Sequence, residues 1–123
     1  VLAAPDIDKK VFNDTLLPRL RDIGKRRTLY ANDKDKALRI SRTIRMDMER
    51  IGEAGDRIYI CDGLDTIDAS NVASEGNHHS YMFECKELLA DLSLILNEGR
   101  APDLRLGLRE IPKAPLKYWL FRK

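Results

Sequence analysis

The sequence predicts an α/β protein, with parallel strands sandwiched between helices on both faces. Three observations point there. Segments of strand and helix character alternate in the order strand, helix, strand, helix, strand, helix. The first strand run, Val1 to Ala4, is apolar without alternation, as strands buried on both faces are. The intervening segments carry apolar residues at helical spacing, so each has one face to bury. With 123 residues there is room for one domain at most. Hydrophobic residues at 43% and charged residues at 34% argue against disorder. A net charge of +2 is too mild to imply a nucleic-acid partner. The longest apolar runs, such as Leu92 to Leu96, are far too short to span a bilayer.

In chain order, Val1 to Ala4 is a strand stopped by Pro5. It reads as a strand already under way, with no initiator Met and no signal peptide, so the chain is expected to be the C-terminal part of something longer. Val11, Phe12, Leu16, Leu17, Leu20 and Ile23 recur at helical spacing. Pro18 fits if Asp14 caps that helix and the proline falls in its first turn, and Gly24 ends it. Arg27 to Ala31 is a β-branched and aromatic strand. Asp35 to Met48 reads as the next helix, with Ala37, Leu38, Ile40, Ser41, Ile44 and Met48 inside and a solvated face of Arg39, Arg42, Arg45 and Glu49. Arg57 to Cys61 reads as a short strand and Leu64 to Ala69 as the third core strand. Ser70 to Asn77 is a polar loop. Ser80 is the expected cap of the clearest amphipathic helix, with Met82, Cys85, Leu88, Leu89, Leu92, Ile95 and Leu96 inward and Gly99 closing it.

The tail from Arg100 to Lys123 holds three of the five prolines and reads as a loose strand or hairpin leading into Tyr118-Trp119-Leu120-Phe121. Three strands make a thin sheet. The first strand should therefore pair at its open edge, with the chain's own N-terminal half or with a second copy. Cys61 and Cys85 fit no zinc spacing and read as reduced, half-buried thiols. Cys61, His78, His79 and Cys85 are too irregularly spaced to be expected to converge on a metal.

The chemistry sits in two loops. Thr28-Leu29-Tyr30-Ala31 runs into Asn32-Asp33-Lys34-Asp35, acids where the strand should end, and Asn77-His78-His79-Ser80-Tyr81 is a histidine loop opening a helix. An acid after one strand and a histidine after the next is the back half of a Ser…Asp…His arrangement. A carboxylate that holds Nδ1 of the imidazole lets Nε2 take a proton from a serine hydroxyl. No serine here lies in a Gly-x-Ser-x-Gly setting, so the chain carries two thirds of a triad. Asp33 and Asp35 compete for the acid and His78 and His79 for the base. Either acid could instead cap the following helix. Asp65 and Asp68 are read either as braces of the histidine loop or as solvated strand ends.

Four blocks in order resemble a known family: Leu2-Ala3-Ala4-Pro5-Asp6-Ile7-Asp8, Thr28-Leu29-Tyr30-Ala31 with Asp35-Lys36-Ala37-Leu38 and Ser41, Gly63 to Ser70, and His79-Ser80-Tyr81. They are similar to a bacterial α/β-hydrolase family catalogued as a domain of unknown function (number 900) and described as esterase/lipase-like. The resemblance covers residues 1–98, leaving 99–123 as a tail without a counterpart. It implies the C-terminal half of an α/β-hydrolase. Asp35 would be the triad acid and His79 the base, with the nucleophile elbow and oxyanion hole upstream of Val1. The substrate would be a small ester or acyl compound, with no cofactor, and the chain as given would be inactive. The contrasting expectations are a non-catalytic partner-binding module on a hydrolase scaffold, or an interaction domain that docks through the aromatic segment 118–121.

Overall fold

A computed structural model describes residues 1–33, 48–73 and 84–122. Among these, one sheet contains β1 (Leu2–Ala3), β2 (Thr28–Ala31), β3 (Asp65–Asp68), β4 (Leu108–Lys113) and β5 (Leu116–Phe121), in the order β1-β2-β3-β5-β4. β1, β2, β3 and β5 run parallel, and β4 returns antiparallel to β5. Every residue of β2 is buried, as its continuous apolar character requires of a central strand.

Alternation along the strands separates two cores. On one face Leu29 packs with Phe12, Leu17, Ile51, Tyr59 and Leu64. On the other, Tyr30 and Ile67 pack with Leu88, Ile95, Trp119 and Phe121. Helical segments from both sides thus cover the sheet, giving three layers.

The first helical segment begins earlier than its proline suggests. Asp8, not Asp14, is the cap: its Oδ1 accepts the Val11 amide at 3.0 Å. A short helix, α1 (Lys9–Val11), widens into a π turn over Phe12–Leu16 and tightens again in α2 (Leu17–Arg21). The Leu17 amide reaches back to the Phe12 carbonyl, and Pro18 follows at the second position of α2. A proline removes one amide and crowds the carbonyl four residues back, and the wider turn accommodates both. The extra residue also shifts the buried stripe. Phe12 and Leu17 are buried, while Val11 and Ile23 face solvent. Asp14 pairs with Lys10 on the surface.

Arg57 to Cys61 is not a strand. A 3₁₀ turn at Gly55–Arg57 leads into an unpaired stretch in which Tyr59 sets its ring edge-on to Phe12, with centroids 5.5 Å apart. Tyr59 meets the sheet through its carbonyl, which accepts the Thr66 hydroxyl at 2.8 Å. The expected helix from Asp35 and the Ser80 cap lie outside the described residues. Met48, expected on that helix's inner side, is exposed. The last helix, α3 (Lys86–Glu98), starts with Cys85 in an extended conformation at its N-cap. Gly99 closes it at φ +61°, with the Gly99 and Arg100 amides returning to the Ile95 and Leu94 carbonyls. Its buried residues are Leu88, Asp91 and Ile95, whereas Leu89 and Leu96 are exposed.

The tail does more than trail. It forms a 3₁₀ turn at Pro102–Leu104 and then the β4–β5 hairpin, which extends the sheet past β3. Trp119 and Phe121 are buried in the core, so the aromatic segment is no free docking patch. The edge strand β4 carries Arg109, Glu110, Pro112 and Lys113, the charges and proline that discourage further pairing.

Gly52 marks the closest approach of two segments at the end of β1. A Cβ there would lie 2.5 Å from the Ala4 carbonyl carbon and 2.7 Å from the Pro5 nitrogen and oxygen. All three are backbone atoms that cannot swing aside. Gly52→Ala is expected to cost about 1–3 kcal/mol, read as a lowered urea midpoint at unchanged m-value.

Candidate active site

In open α/β sheets ligands bind beyond the carboxyl ends of the strands. Three exits lie together at that end here. Ala4 leaves β1 with φ +35°, a strained value for a residue with a side chain, while its amide still donates to the Tyr30 carbonyl at 2.8 Å. Asn32 leaves β2 buried, its amide donating to the Gly52 carbonyl at 2.9 Å. Asp6 faces the buried Arg50 guanidinium at 3.3 Å across the same region.

β2 and β3 exit side by side. Ala31 is paired with Asp68, and the ladder runs one step further through the Ala69 amide to the Ala31 carbonyl at 2.8 Å. Beyond it, the Asp33 amide donates to Ser70 Oγ at 3.0 Å, so one side-chain bond ties the two loops together at their roots. Asp68 Oδ1 accepts the Ser70 amide at 2.9 Å, an Asx turn that sets the direction of the second loop. The turn then tightens through the Val72 and Ala73 amides, both donating to the Ala69 carbonyl. Cys85 Sγ lies 3.5 Å from the Val72 carbonyl. Burial pushes the Cys85 thiol above its ordinary pKa, which makes it a weak nucleophile.

Of the sequence-derived candidates, Asp35, His78 and His79 lie outside the described residues. Asp33 is exposed, and its described contact is made by its main chain. Asp68 fixes the turn at Ser70, directly after β3. Asp65 does not, because it sits at the other end of β3 and pairs with Arg26 at 2.7 Å. Cys61 and Cys85 are both free thiols, and no metal-binding cluster occurs among the described residues. No helix among those residues is long and apolar enough to cross a membrane.

One buried cluster has no counterpart in the sequence reading. Asp91 of α3 is buried, and its Oδ2 accepts the Tyr30 hydroxyl at 2.6 Å and Arg105 Nη1 at 2.8 Å. Burial pushes the Asp91 carboxyl above its ordinary pKa against the pull of both donors. The Tyr30 phenol is raised as well, by burial first and then by the Asp91 charge. A signal was present: Asp91 falls at helical spacing between Leu88 and Ile95, on the face where a charge has no place without a partner. The partner, Arg105, is 14 residues away in the tail, and nothing local announces it.

A family model described as alpha/beta hydrolase of unknown function (DUF900) matches residues 1–97. No curated protein and no solved structure matches the chain.

Proposed function

The chain belongs to this alpha/beta hydrolase family of unknown function, and from that membership we propose that its parent protein is a serine hydrolase of small esters or related acyl compounds, esterase- or lipase-like in mechanism. In this reading His79 is the general base and then the general acid, and Asp35 holds its Nδ1 and stabilises the imidazolium. The nucleophilic serine and the oxyanion donors come from outside residues 1–123. The serine oxygen attacks the acyl carbon as its proton passes to His79 Nε2. The same proton then goes to the leaving alcohol, and water hydrolyses the acyl-enzyme by the reverse relay.

The observation that carries this reading is the joint exit of β2 and β3. The strand followed by the acids and the strand followed by the histidines are neighbours, and their loops are joined at the root by the Asp33–Ser70 bond. An acid–base dyad needs two such loops opening at the same end of the sheet. Ala4 at positive φ and the Asn32–Gly52 contact form the floor of that end.

Fluorophosphonate labelling of the full-length gene product, read by intact mass, tests the proposal. The wild-type protein is expected to gain one adduct and the His79→Ala variant none on the same timescale. Absence of label on the wild type would instead favour a scaffold that has kept the fold without the chemistry.

A further inference from the structure

We propose that residues 100–122, which lie beyond the stretch matched to the family, are a clamp on the exits of β2 and β3, from which the catalytic residues of the hydrolase reading follow, and that Asn71 is the positioning residue through which the clamp holds the β3 exit. The inference rests on the hydrolase reading for what the loops do. The clamp itself rests on contacts of the described residues.

Three independent contacts converge on the strand exits. First, β5 pairs with β3 at Ile67–Trp119 and Asp68–Leu120, so the last two residues of β3 are held between β2 on one side and the tail on the other. Second, the grip continues past the end of β3. Asn71 Nδ2 donates to the Phe121 carbonyl at 2.6 Å, one residue after the Asp68–Ser70 turn. That bond is a side-chain substitute for the next rung of the ladder, at the root of the loop that carries the histidines. Third, the tail reaches β2 from the core side. Arg105 holds Asp91, Asp91 holds the Tyr30 hydroxyl, and the Tyr30 ring stacks on Phe121 with centroids 6.5 Å apart. Tyr30 lies next to Ala31, where β2 runs out toward the acids.

The tail is itself fixed. The Arg122 amide donates to the Gly107 carbonyl at 2.8 Å, and Arg122 Nε to the Leu108 carbonyl at 2.7 Å, closing the end of the hairpin. One segment therefore grips both strands at their carboxyl ends. Catalysis by a dyad depends on placement: an error of ~1 Å costs on the order of 100-fold in rate. The Asn71 bond lies where such an error would originate, and it ties that turn to the buried strand residue Phe121.

The test uses the full-length gene product with Asn71→Ala and Asn71→Asp, the second nearly isosteric but unable to donate when ionised. Kinetics on p-nitrophenyl acetate, thermal melts and amide exchange over residues 68–73 are read together. Both variants are expected to lower kcat about 10- to 100-fold with KM within twofold, to speed exchange over 68–73, and to move Tm by no more than a few degrees. Unchanged exchange overturns the clamp. Faster exchange with unchanged kcat overturns its positioning role, as does a loss of activity that only follows the loss of folded protein. A wild-type protein that neither turns over the ester nor takes up fluorophosphonate overturns the hydrolase reading and the positioning role with it. In that case exchange over 68–73 alone decides whether the tail clamps the loop: faster exchange in the variants supports it, and unchanged exchange overturns it.

Discussion

Asp91→Ala is expected to destabilise the fold by about 3–5 kcal/mol, a large part of the ~5–15 kcal/mol that holds a domain together. The cost does not come from losing an attraction so much as from what is left behind. The Arg105 side chain is 0% exposed, and its Nε and Nη2 already find no hydrogen-bond partner. Removing Asp91 strands a full positive charge in the core and orphans the Tyr30 hydroxyl as well. Replacing the whole cluster should behave differently. In Tyr30→Phe/Asp91→Leu/Arg105→Met no buried polar group of the cluster remains to be satisfied, and stability is expected to return to within about 1–2 kcal/mol of wild type or to exceed it. Urea unfolding of the single and combined variants measures this. A mild Asp91→Ala, below ~1 kcal/mol, would mean that water reaches Arg105 and that the pair is not buried in solution.

Asp35→Asn in the full-length protein is expected to lower kcat by about 10⁴-fold with little change in KM. In the proposed dyad, an amide in place of the carboxylate cannot stabilise the imidazolium, and it favours the wrong histidine tautomer. Asp33→Asn provides the contrast. The described bond of Asp33 is its main-chain amide to Ser70 Oγ, which the substitution keeps. Activity is expected to stay within about threefold. Steady-state kinetics on a chromogenic ester decides between the two acids. A larger loss for Asp33→Asn would transfer the acid role to Asp33 and overturn the assignment of Asp35.

Much of the frame is legible because it depends on local chemistry. Thr28-Leu29-Tyr30-Ala31 reads as a strand buried on both faces, and β2 has strands on both sides and cores above and below. Gly99 ends its helix at positive φ, as glycine in that place suggests, whereas Gly24, also at positive φ, stands beyond the Asp22 cap of α2. The family also follows from the order of short blocks. Elements whose state depends on distant partners are the ones that mislead. Arg57 to Cys61 has strand composition but joins no β-ladder among the described residues, where β2 has β3 as its neighbour. Pro18 suggests a helix start, whereas a π turn lets the helix run through it. Counting leucines alone misplaces the outward side of α3. Its buried stripe passes through Asp91 and leaves Leu89 and Leu96 outside.

By itself the sequence determined the α/β class, the parallel core strands and the family. These follow from periodicity and short motifs, information held within a few residues of each position. Only the tertiary structure decided that the tail is part of the sheet, that β5 lies beside β3, and that Arg105 neutralises Asp91 beneath Tyr30. The physical reason is that a buried charge or a strand edge specifies only that it must be paired. Which residue pairs with it is settled by the path of the chain through space, and that path is set by the whole packed core at once.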